Sequence, residues 1–223
     1  MTKKLFFEAI TKFMLGVVLV GALIFVSAGT IDYTNGWIFM GILFVPMFIA
    51  GIIMMVKNPN LLKSRLDSKE KQKEQQLVIK LSGLMFVVGF ILAGLDYRFN
   101  WIYIPSWVCY VSSGIFILAY VMYAEVLREN TFLARTIKVE DNQEVVDTGL
   151  YGIIRHPQYS ASIILFLAMP LVLGSLISFF VFLLYPVIII IRIINEEKLL
   201  DEQLKGYKEY KKKVKYRLIP FIW

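Results

Sequence analysis

The chain has 223 residues, of which 58% are hydrophobic, and it carries a net charge of +7 with one cysteine and one histidine. A soluble domain is about 45–50% apolar, and here the excess lies in blocks, which indicates an integral membrane protein. The basic residues flank those blocks and match no nucleic-acid-binding module, so we predict no nucleic-acid partner. Cys109 stands alone within a span, so we predict neither an intramolecular disulfide nor a metal site.

Six apolar segments predict the membrane helices. The first four have comfortable lengths, because about 20 helical residues cross the hydrocarbon. The last two are short, are separated only by Gly174-Ser175, and predict a tight hairpin. We therefore expect an all-α integral membrane protein with five to six transmembrane helices, the last two forming a short helical hairpin. The predicted spans are Phe6–Ala28, Gly36–Val56, Leu77–Leu95, Ile102–Ala124, Tyr159–Leu173 and Leu176–Ile194.

The distribution of positive charge predicts the orientation. All of the 24 Lys and Arg residues except Arg98 lie at the termini or on the two long loops, on one side of the predicted bundle. The positive-inside rule therefore places both termini in the cytoplasm of a multi-pass protein, which we expect in a bacterial cytoplasmic membrane with the lipid bilayer as its partner. Residues 1–28 also have features of a signal peptide, although Glu8 and Lys12 interrupt that pattern.

The chain reads as one domain, 1–223, in which residues 1–124 form a four-helix membrane part and residues 125–223 carry the candidate site. The basic loop between the second and third spans, with the sequence SRLDSKEKQKEQQ, favours a solvated surface helix, or alternatively a lid near the site. The polar stretch 125–158 is long for a connection, which favours a functional role. At its end, Pro157 suits the first turn of the next helix.

The polar residues of the C-terminal half are expected to gather at one bilayer face. His156 begins one predicted helix, and Arg192, Glu196 and Glu197 end another. Arg192 and Glu196 are four residues apart and therefore share a helix face. Ionisable groups at membrane depth are costly and favour a functional site. The alternative is an interfacial helix end, in which Arg192 extends to water and the glutamates are solvated.

Several separated elements form an ordered pattern between residues 136 and 220. They are Gly149-Leu150-Tyr151, Arg155-His156-Pro157-Gln158-Tyr159, Arg192-x-x-x-Glu196-Glu197, Leu200, Tyr207, Tyr210 and Arg217-Leu218-Ile219-Pro220. This pattern resembles the isoprenylcysteine carboxyl methyltransferase family, within the wider group of small membrane S-adenosylmethionine enzymes that includes the phospholipid methyltransferases. The N-terminal half adds only a compatible topology.

The resemblance implies an S-adenosylmethionine pocket formed by the last two helices, the preceding loop and the C-terminal segment. Arg192 and Glu196 would be catalytic, and Arg192 would face a lipid-like or prenylated methyl acceptor, such as a prenylcysteine carboxylate. The implied cofactor-binding residues are Gln143, Glu144, Val145, Val146, Tyr151, His156, Pro157, Gln158, Tyr159, Glu196 and Glu197. Carboxylates suit the ribose hydroxyls and the positive charge of this cofactor, and tyrosine rings suit its adenine and sulfonium.

Two other functions remain open. An NADPH-dependent membrane reductase of the sterol type resembles this chain around Arg155-His156-Pro157-x-Tyr159, but that group usually continues with Gly-Glu where this chain has Ser160-Ala161-Ser162. A non-enzymatic scaffold or transporter is the third possibility. A transporter would more naturally place its polar groups at the midplane of the bilayer, whereas here they cluster towards one face.

Overall fold

The computed structural model describes residues 3–67, 73–133, 136, 139 and 143–223, and these residues contain helices and no β-strand. Five helical segments are long and apolar enough to cross a membrane, which confirms a multi-pass helical protein. The helices are α1 (Lys3–Ala28), α2 (Thr34–Lys57), α3 (Pro59–Leu66), α4 (Lys73–Phe99), α5 (Ser106–Glu129), α6 (Pro157–Val172), α7 (Leu176–Phe182), α8 (Leu184–Gln203) and α9 (Tyr207–Lys213). A single 3-10 turn, Gly149–Gly152, precedes α6.

The C-terminal hairpin is less symmetrical than predicted. Its first arm, α6, is short, with 16 residues, whereas α7 and α8 together give a candidate span over Leu176–Gln203. The prediction of a short final span is therefore wrong. The helix continues past the apolar run because Ile193, Glu197 and Leu200 recur at helical spacing and keep one face packed. Arg192 and the two glutamates consequently lie inside α8 rather than at its end.

The fourth span begins later than predicted. We expected it to start at Ile102, but α5 begins at Ser106, directly after Pro105. Proline disfavours the helical conformation in the residue before it, so the segment 102–105 stays outside the helix. The remaining long spans agree with their predicted positions within a few residues.

Close helix packing builds the core. The most extensive contacts join α5 to α6 and α1 to α4. Gly94 of α4 lies so near Ser27 of α1 that an added methyl group would overlap it, as expected where small residues let membrane helices approach. Large apolar side chains remain exposed along α1, α2, α4 and α5, which suits contact with lipid acyl chains.

Helix α3 occupies the start of the basic loop. Asn58 caps it, accepting a hydrogen bond from the Leu61 amide at 3.1 Å, and Leu61 and Leu62 are buried. The predicted segment, residues 64–76, is therefore helical at 64–66, the last residues of α3, and again from Lys73, where α4 begins. Residues 68–72 of the predicted segment lie outside the described residues.

The turn between α6 and α7 is held by a buried carboxylate. Asp96 of α4 is 2% exposed. Its Oδ2 accepts a hydrogen bond from Ser175 Oγ at 2.6 Å, and its Oδ1 accepts one from the Ile102 amide at 3.1 Å. Ser175 Oγ also caps α7 by accepting from the Ser178 amide. Each oxygen of this carboxylate is thus bound by the chain itself.

Candidate functional site

The C-terminal segment folds back onto the start of α6. The amide of Arg155 donates to the Tyr216 carbonyl at 2.9 Å, and the amide of His156 donates to the Arg217 carbonyl at 3.0 Å. Ser160 Oγ adds a hydrogen bond to the Leu218 carbonyl at 2.7 Å. These contacts join two parts of the chain about 60 residues apart and place His156 beside α8.

Glu197 is the centre of a buried ionic cluster. Its Oε1 accepts from Arg155 Nε at 2.7 Å and lies 3.2 Å from His156 Nε2, and its Oε2 accepts from Arg217 Nε at 3.0 Å. His156 and Glu197 are 2% and 5% exposed. Arg155 also donates to the carbonyls of Val214 and Lys215 at 2.8 Å. Through these contacts, Glu197 holds α8, the start of α6 and the C-terminal segment together.

The neighbouring Glu196 makes a different set of contacts. Its Oε2 accepts a hydrogen bond from the Tyr159 hydroxyl at 2.5 Å, and the same hydroxyl accepts one from Arg192 Nε at 2.8 Å. Tyr159 thus bridges the two residues that the sequence placed on one helix face. The His156 and Tyr159 rings are stacked, with centroids 5.7 Å apart. This arrangement fixes the Glu196 carboxylate while leaving it half-buried.

Glu196 lies on the wall of a cavity of about 70 Å³. The cavity is bounded by the segment after α5, the 143–146 loop, the start of α6, and the ends of α8 and α9. Its walls combine one carboxylate from α8 with tyrosine rings and aliphatic side chains. The additional lining residues are Asn130, Phe132, Leu133, Thr136, Gln143, Glu144, Val145, Val146, Tyr151, Arg155, His156, Gln158, Leu200, Leu204, Tyr207 and Tyr210.

Two polar atoms of the lining residues have no partner within the described part of the chain. They are Gln158 Oε1 and the Tyr207 hydroxyl, both buried. Burying a polar group without a hydrogen bond costs about 1–3 kcal/mol. Such atoms therefore mark places where a bound ligand can supply the missing hydrogen bond. Tyr210 differs from Tyr207, because its hydroxyl donates to the Tyr151 carbonyl at 2.8 Å.

Burial keeps the tyrosines of this site protonated. It raises the pKa of Tyr207, with smaller contributions from the negative charges of Glu197 and Glu196. It likewise raises the pKa of Tyr151 and of Tyr210. Their hydroxyls therefore remain hydrogen-bond donors through the physiological pH range, and the rings present neutral aromatic faces to the cavity.

The structure brings most of the predicted cofactor residues together. Eight of them line the cavity, namely Gln143, Glu144, Val145, Val146, Tyr151, His156, Gln158 and Glu196. Tyr159 hydrogen-bonds to Glu196, Arg192 hydrogen-bonds to Tyr159, and Pro157 is the first residue of α6. Glu197 lies in the ionic cluster and contacts Arg155, His156 and Arg217 instead of the cavity.

Several lining residues were absent from the predicted site. Tyr207 and Tyr210 belong to the recognised pattern, but their part in a wall depends on α9 packing beneath the 143–146 loop. Their three-residue spacing, with Leu204 before and Val214 after, is an amphipathic signal that identifies the buried face of this segment. Asn130 is placed by a hydrogen bond to the Tyr151 hydroxyl at 3.1 Å, and the sequence gives no signal for that contact.

Comparison with known families finds that part of the chain is similar to a family of methyltransferases. The family model for phospholipid methyltransferase matches residues 107–206. The matched region contains α5 to α8, Glu196 and most of the cavity wall. The match supports methyl transfer at a membrane and is consistent with the lipid contact expected of the exposed apolar helices.

A curated protein is also similar to part of the chain. Delta(14)-sterol reductase TM7SF2 of Mus musculus is 30% identical over 91 residues, which are 40% of this chain and 22% of that protein. The chain therefore spans less than a quarter of the length of this relative. The similarity corresponds to the reductase alternative that the Arg155-His156-Pro157 element raises.

Proposed function

We propose that this protein is an S-adenosylmethionine-dependent methyltransferase that binds its cofactor in the Glu196 cavity and methylates a lipid-like acceptor held in the membrane. The observation that carries the proposal is the chemistry of the cavity wall within the matched family region. A carboxylate fixed by Tyr159, buried tyrosine rings and two polar atoms without a partner among the described residues offer contacts for a cationic nucleoside.

The cofactor would supply an already activated methyl group, so the residues of the chain have mainly to bind, orient and exclude water. Glu196, Gln158 and Tyr207 supply the polar contacts of the wall, and Leu200 and Leu204 supply apolar ones. Ligand pockets generally measure about 300–1,000 Å³, which exceeds the cavity of about 70 Å³. Binding of a ligand of that size therefore requires the cavity to widen.

The acceptor would approach from the Arg192 side. The guanidinium of Arg192 is fixed by the Tyr159 hydroxyl and suits a carboxylate or phosphate group. A carboxylate acceptor, such as that of a prenylcysteine, is already ionised at neutral pH and needs no base. An amine acceptor needs one, and Glu196 and His156 are the candidates in the wall.

The distribution of Lys and Arg supports a cytoplasmic position for this site, with both termini on the same side of a bacterial cytoplasmic membrane. This position would give a water-soluble cofactor direct access to the cavity, while the acceptor enters laterally from the bilayer.

The similarity to a sterol reductase supports a second candidate, the NADPH-dependent reduction of an apolar substrate. The electrostatics of the wall favour the methyltransferase. NADPH carries several phosphate charges, whereas the cavity presents the Glu196 carboxylate and the guanidinium of Arg155 is already paired with Glu197.

Calorimetric titration of the detergent-purified protein with S-adenosylhomocysteine, and separately with NADPH, distinguishes the candidates. Saturable binding of S-adenosylhomocysteine alone supports the methyltransferase. Binding of NADPH alone would replace it with the reductase, and binding of neither to folded protein would favour a scaffold.

For Arg192→Ala, we expect S-adenosylhomocysteine binding to persist while methyl transfer falls. Equal loss of both would contradict its assignment to the acceptor.

A further inference from the structure

The turn 219–222, in the segment that folds back onto α6, presents apolar side chains outwards. Three of its four side chains are apolar and exposed, with exposed fractions of 51% for Ile219, 87% for Phe221 and 75% for Ile222. A contiguous group of exposed apolar side chains marks an interaction surface. The turn is therefore a candidate contact with a partner outside the helix bundle.

This turn is fixed against the membrane helices. The backbone oxygen of Trp223 accepts hydrogen bonds from the amides of Arg217, Leu218 and Ile219 at 2.8, 2.9 and 3.2 Å. Leu218 and Trp223 pack with the main core cluster, which contains residues of the spans. The Leu218 carbonyl also accepts from Ser160 Oγ in the first turn of α6. The turn thus lies beside the spanning helices, at the end of the bundle that contains the candidate site.

The backbone of Phe221 is in the left-handed region. The Ile222 amide donates to the Ile219 carbonyl at 3.2 Å, which makes Pro220 and Phe221 the central residues of the turn, and φ of Phe221 is 66°. This conformation favours Gly or Asn, and a bulky side chain adopts it at a cost in free energy. The Phe221 ring lies 5.3 Å from that of Tyr216, centroid to centroid, yet it stays exposed. Such a strained and displayed aromatic residue points to a role for the ring itself.

The surface beside the turn has an excess of positive charge. Within the fully described stretch 202–215, the exposed charged residues are Glu202, Lys205, Lys208, Glu209, Lys212, Lys213 and Lys215. Lys213 pairs with Asp147. Lys215 directly precedes Tyr216, whose ring contacts Phe221. Exposed apolar and aromatic side chains next to lysines are the combination that binds the interface of an anionic bilayer.

We propose that the turn 219–222 inserts its apolar side chains into an anionic phospholipid leaflet, where Lys212 and Lys215 contact the phosphate headgroups. Unlike the spanning helices, this surface recognises the charge of the headgroup as well as the hydrocarbon. Aromatic rings are favoured at the bilayer interface, which suits the exposed Phe221. The same lysines would repel a second copy of the chain docked symmetrically on the turn. The inference does not depend on which reaction the protein catalyses.

Arg217 connects this surface to the candidate site. Its Nε donates to Glu197 Oε2 at 3.0 Å, and its Cζ lies 4.9 Å from the centroid of the Trp223 ring. An inserted turn therefore holds Arg217, and with it the ionic cluster around Glu197, at the surface of the bilayer.

The test measures the depth of the turn in nanodiscs that contain the whole chain. Ile222→Cys is labelled with bimane, and Glu209→Cys, on the exposed face of α9, carries the same label as the control position. Cys109 is 4% exposed, and the unsubstituted chain measures its background labelling. The discs contain either phosphatidylglycerol or phosphatidylcholine. Quenching by a lipid with a nitroxide on its acyl chain is compared with quenching by acrylamide in water.

We expect the nitroxide lipid to quench the label at position 222 and acrylamide to quench the label at position 209. Phe221→Asn suits the left-handed backbone but removes the ring. It should therefore lower the ratio of inserted to uninserted turn about tenfold in both lipids, with an unchanged melting temperature in detergent.

The contribution of charge should depend on the lipid. Lys212→Gln combined with Lys215→Gln should lower the ratio about tenfold in phosphatidylglycerol and leave it unchanged in phosphatidylcholine. The matched control, Lys3→Gln combined with Lys4→Gln, removes the same charge from the exposed start of α1 and should behave like the wild type. These lysine variants and the labelled wild-type turn provide the test if Phe221→Asn does not fold.

Acrylamide quenching as strong at position 222 as at position 209 would overturn the proposal, since the turn would then lie in water. Wild-type insertion of Phe221→Asn would overturn it as well. Equal effects of the two double lysine variants would contradict recognition of the headgroups by this surface. Weak quenching by both agents, together with fluorescence that differs between one and two chains per disc, would assign the surface to a second copy of the chain instead.

Discussion

Two buried polar clusters lie at opposite ends of α6, about 24 Å apart by the rise of a 16-residue helix. At one end, the oxygens of Asp96 bind Ser175 and the Ile102 amide. At the other end, both oxygens of Glu197 are likewise hydrogen-bonded, but the adjacent Glu196 lines a cavity beside atoms of Gln158 and Tyr207 that have no partner within the described part of the chain. A polar cluster whose hydrogen bonds are complete holds helices together, whereas one that borders a cavity with incomplete bonds is suited to bind a ligand.

The largest effect on stability should come from breaking the ionic cluster around Glu197. Glu197→Gln leaves the guanidinium groups of Arg155 and Arg217 without their counter-charge. Removing one partner of a buried ion pair costs about 3–5 kcal/mol. For a chain of this size, that corresponds to a fall of about 10 °C in melting temperature in detergent. Glu202→Gln, on the exposed face of α8, is the matched control and should melt like the wild type. A wild-type melting temperature for Glu197→Gln would show that the cluster does not hold the fold.

The next effect should appear in binding rather than in stability. Glu196→Gln replaces the carboxylate of the cavity wall, while its side-chain oxygen can still accept from the Tyr159 hydroxyl. We expect affinity for S-adenosylhomocysteine to fall about tenfold, with a melting temperature close to that of the wild type. Calorimetry and thermal melts on the same preparation measure both quantities. A lower melting temperature with unchanged affinity would make Glu196 structural, like its neighbour.

The cluster around Asp96, at the other end of α6, should show the opposite pattern, with lower stability and unchanged ligand affinity. Asp96→Asn keeps an oxygen for the Ile102 amide but weakens the charged hydrogen bond from Ser175 Oγ. We expect a stability loss of about 1–2 kcal/mol and no change in S-adenosylhomocysteine affinity. Thermal melts and calorimetry provide the measurements, and Asp32→Asn, in the exposed loop after α1, provides the control. Weaker cofactor binding in Asp96→Asn would mean that the two ends of α6 are energetically coupled.

The helices and part of the site could be predicted from the sequence, because apolar runs and i, i+4 spacing are local properties. Arg192 and Glu196 share a face on any helix, and Tyr159 indeed bridges them. The roles of the two glutamates could not be separated in this way. Adjacent helical residues point about 100° apart, so the assignment depends on which partners each face meets.

Those partners come from distant parts of the chain. Glu197 meets Arg155 and Arg217, which are 42 and 20 residues away, because an irregular C-terminal segment hydrogen-bonds to the start of α6. Such pairings have no periodic signature in the sequence. The same holds for Arg65, whose contact with Tyr123 spans 58 residues and joins the two halves of the protein.

The smallest effect provides the sharpest comparison, because it contrasts two tyrosines of α9 that differ in hydrogen bonding. The Tyr207 hydroxyl lacks a partner among the described residues, so Tyr207→Phe removes a desolvated group and should leave stability equal or slightly higher. The Tyr210 hydroxyl donates to the Tyr151 carbonyl, so Tyr210→Phe should cost about 1 kcal/mol.

For S-adenosylhomocysteine affinity, the order of the two variants should reverse. Tyr207→Phe should weaken binding about threefold to fivefold, since the raised pKa keeps this hydroxyl a donor for a ligand, and Tyr210→Phe should change it little. Thermal melts combined with calorimetry measure both quantities for each variant. If both variants lost stability and neither lost affinity, the Tyr207 hydroxyl would have a structural partner, and the cavity would no longer differ from the saturated cluster around Asp96.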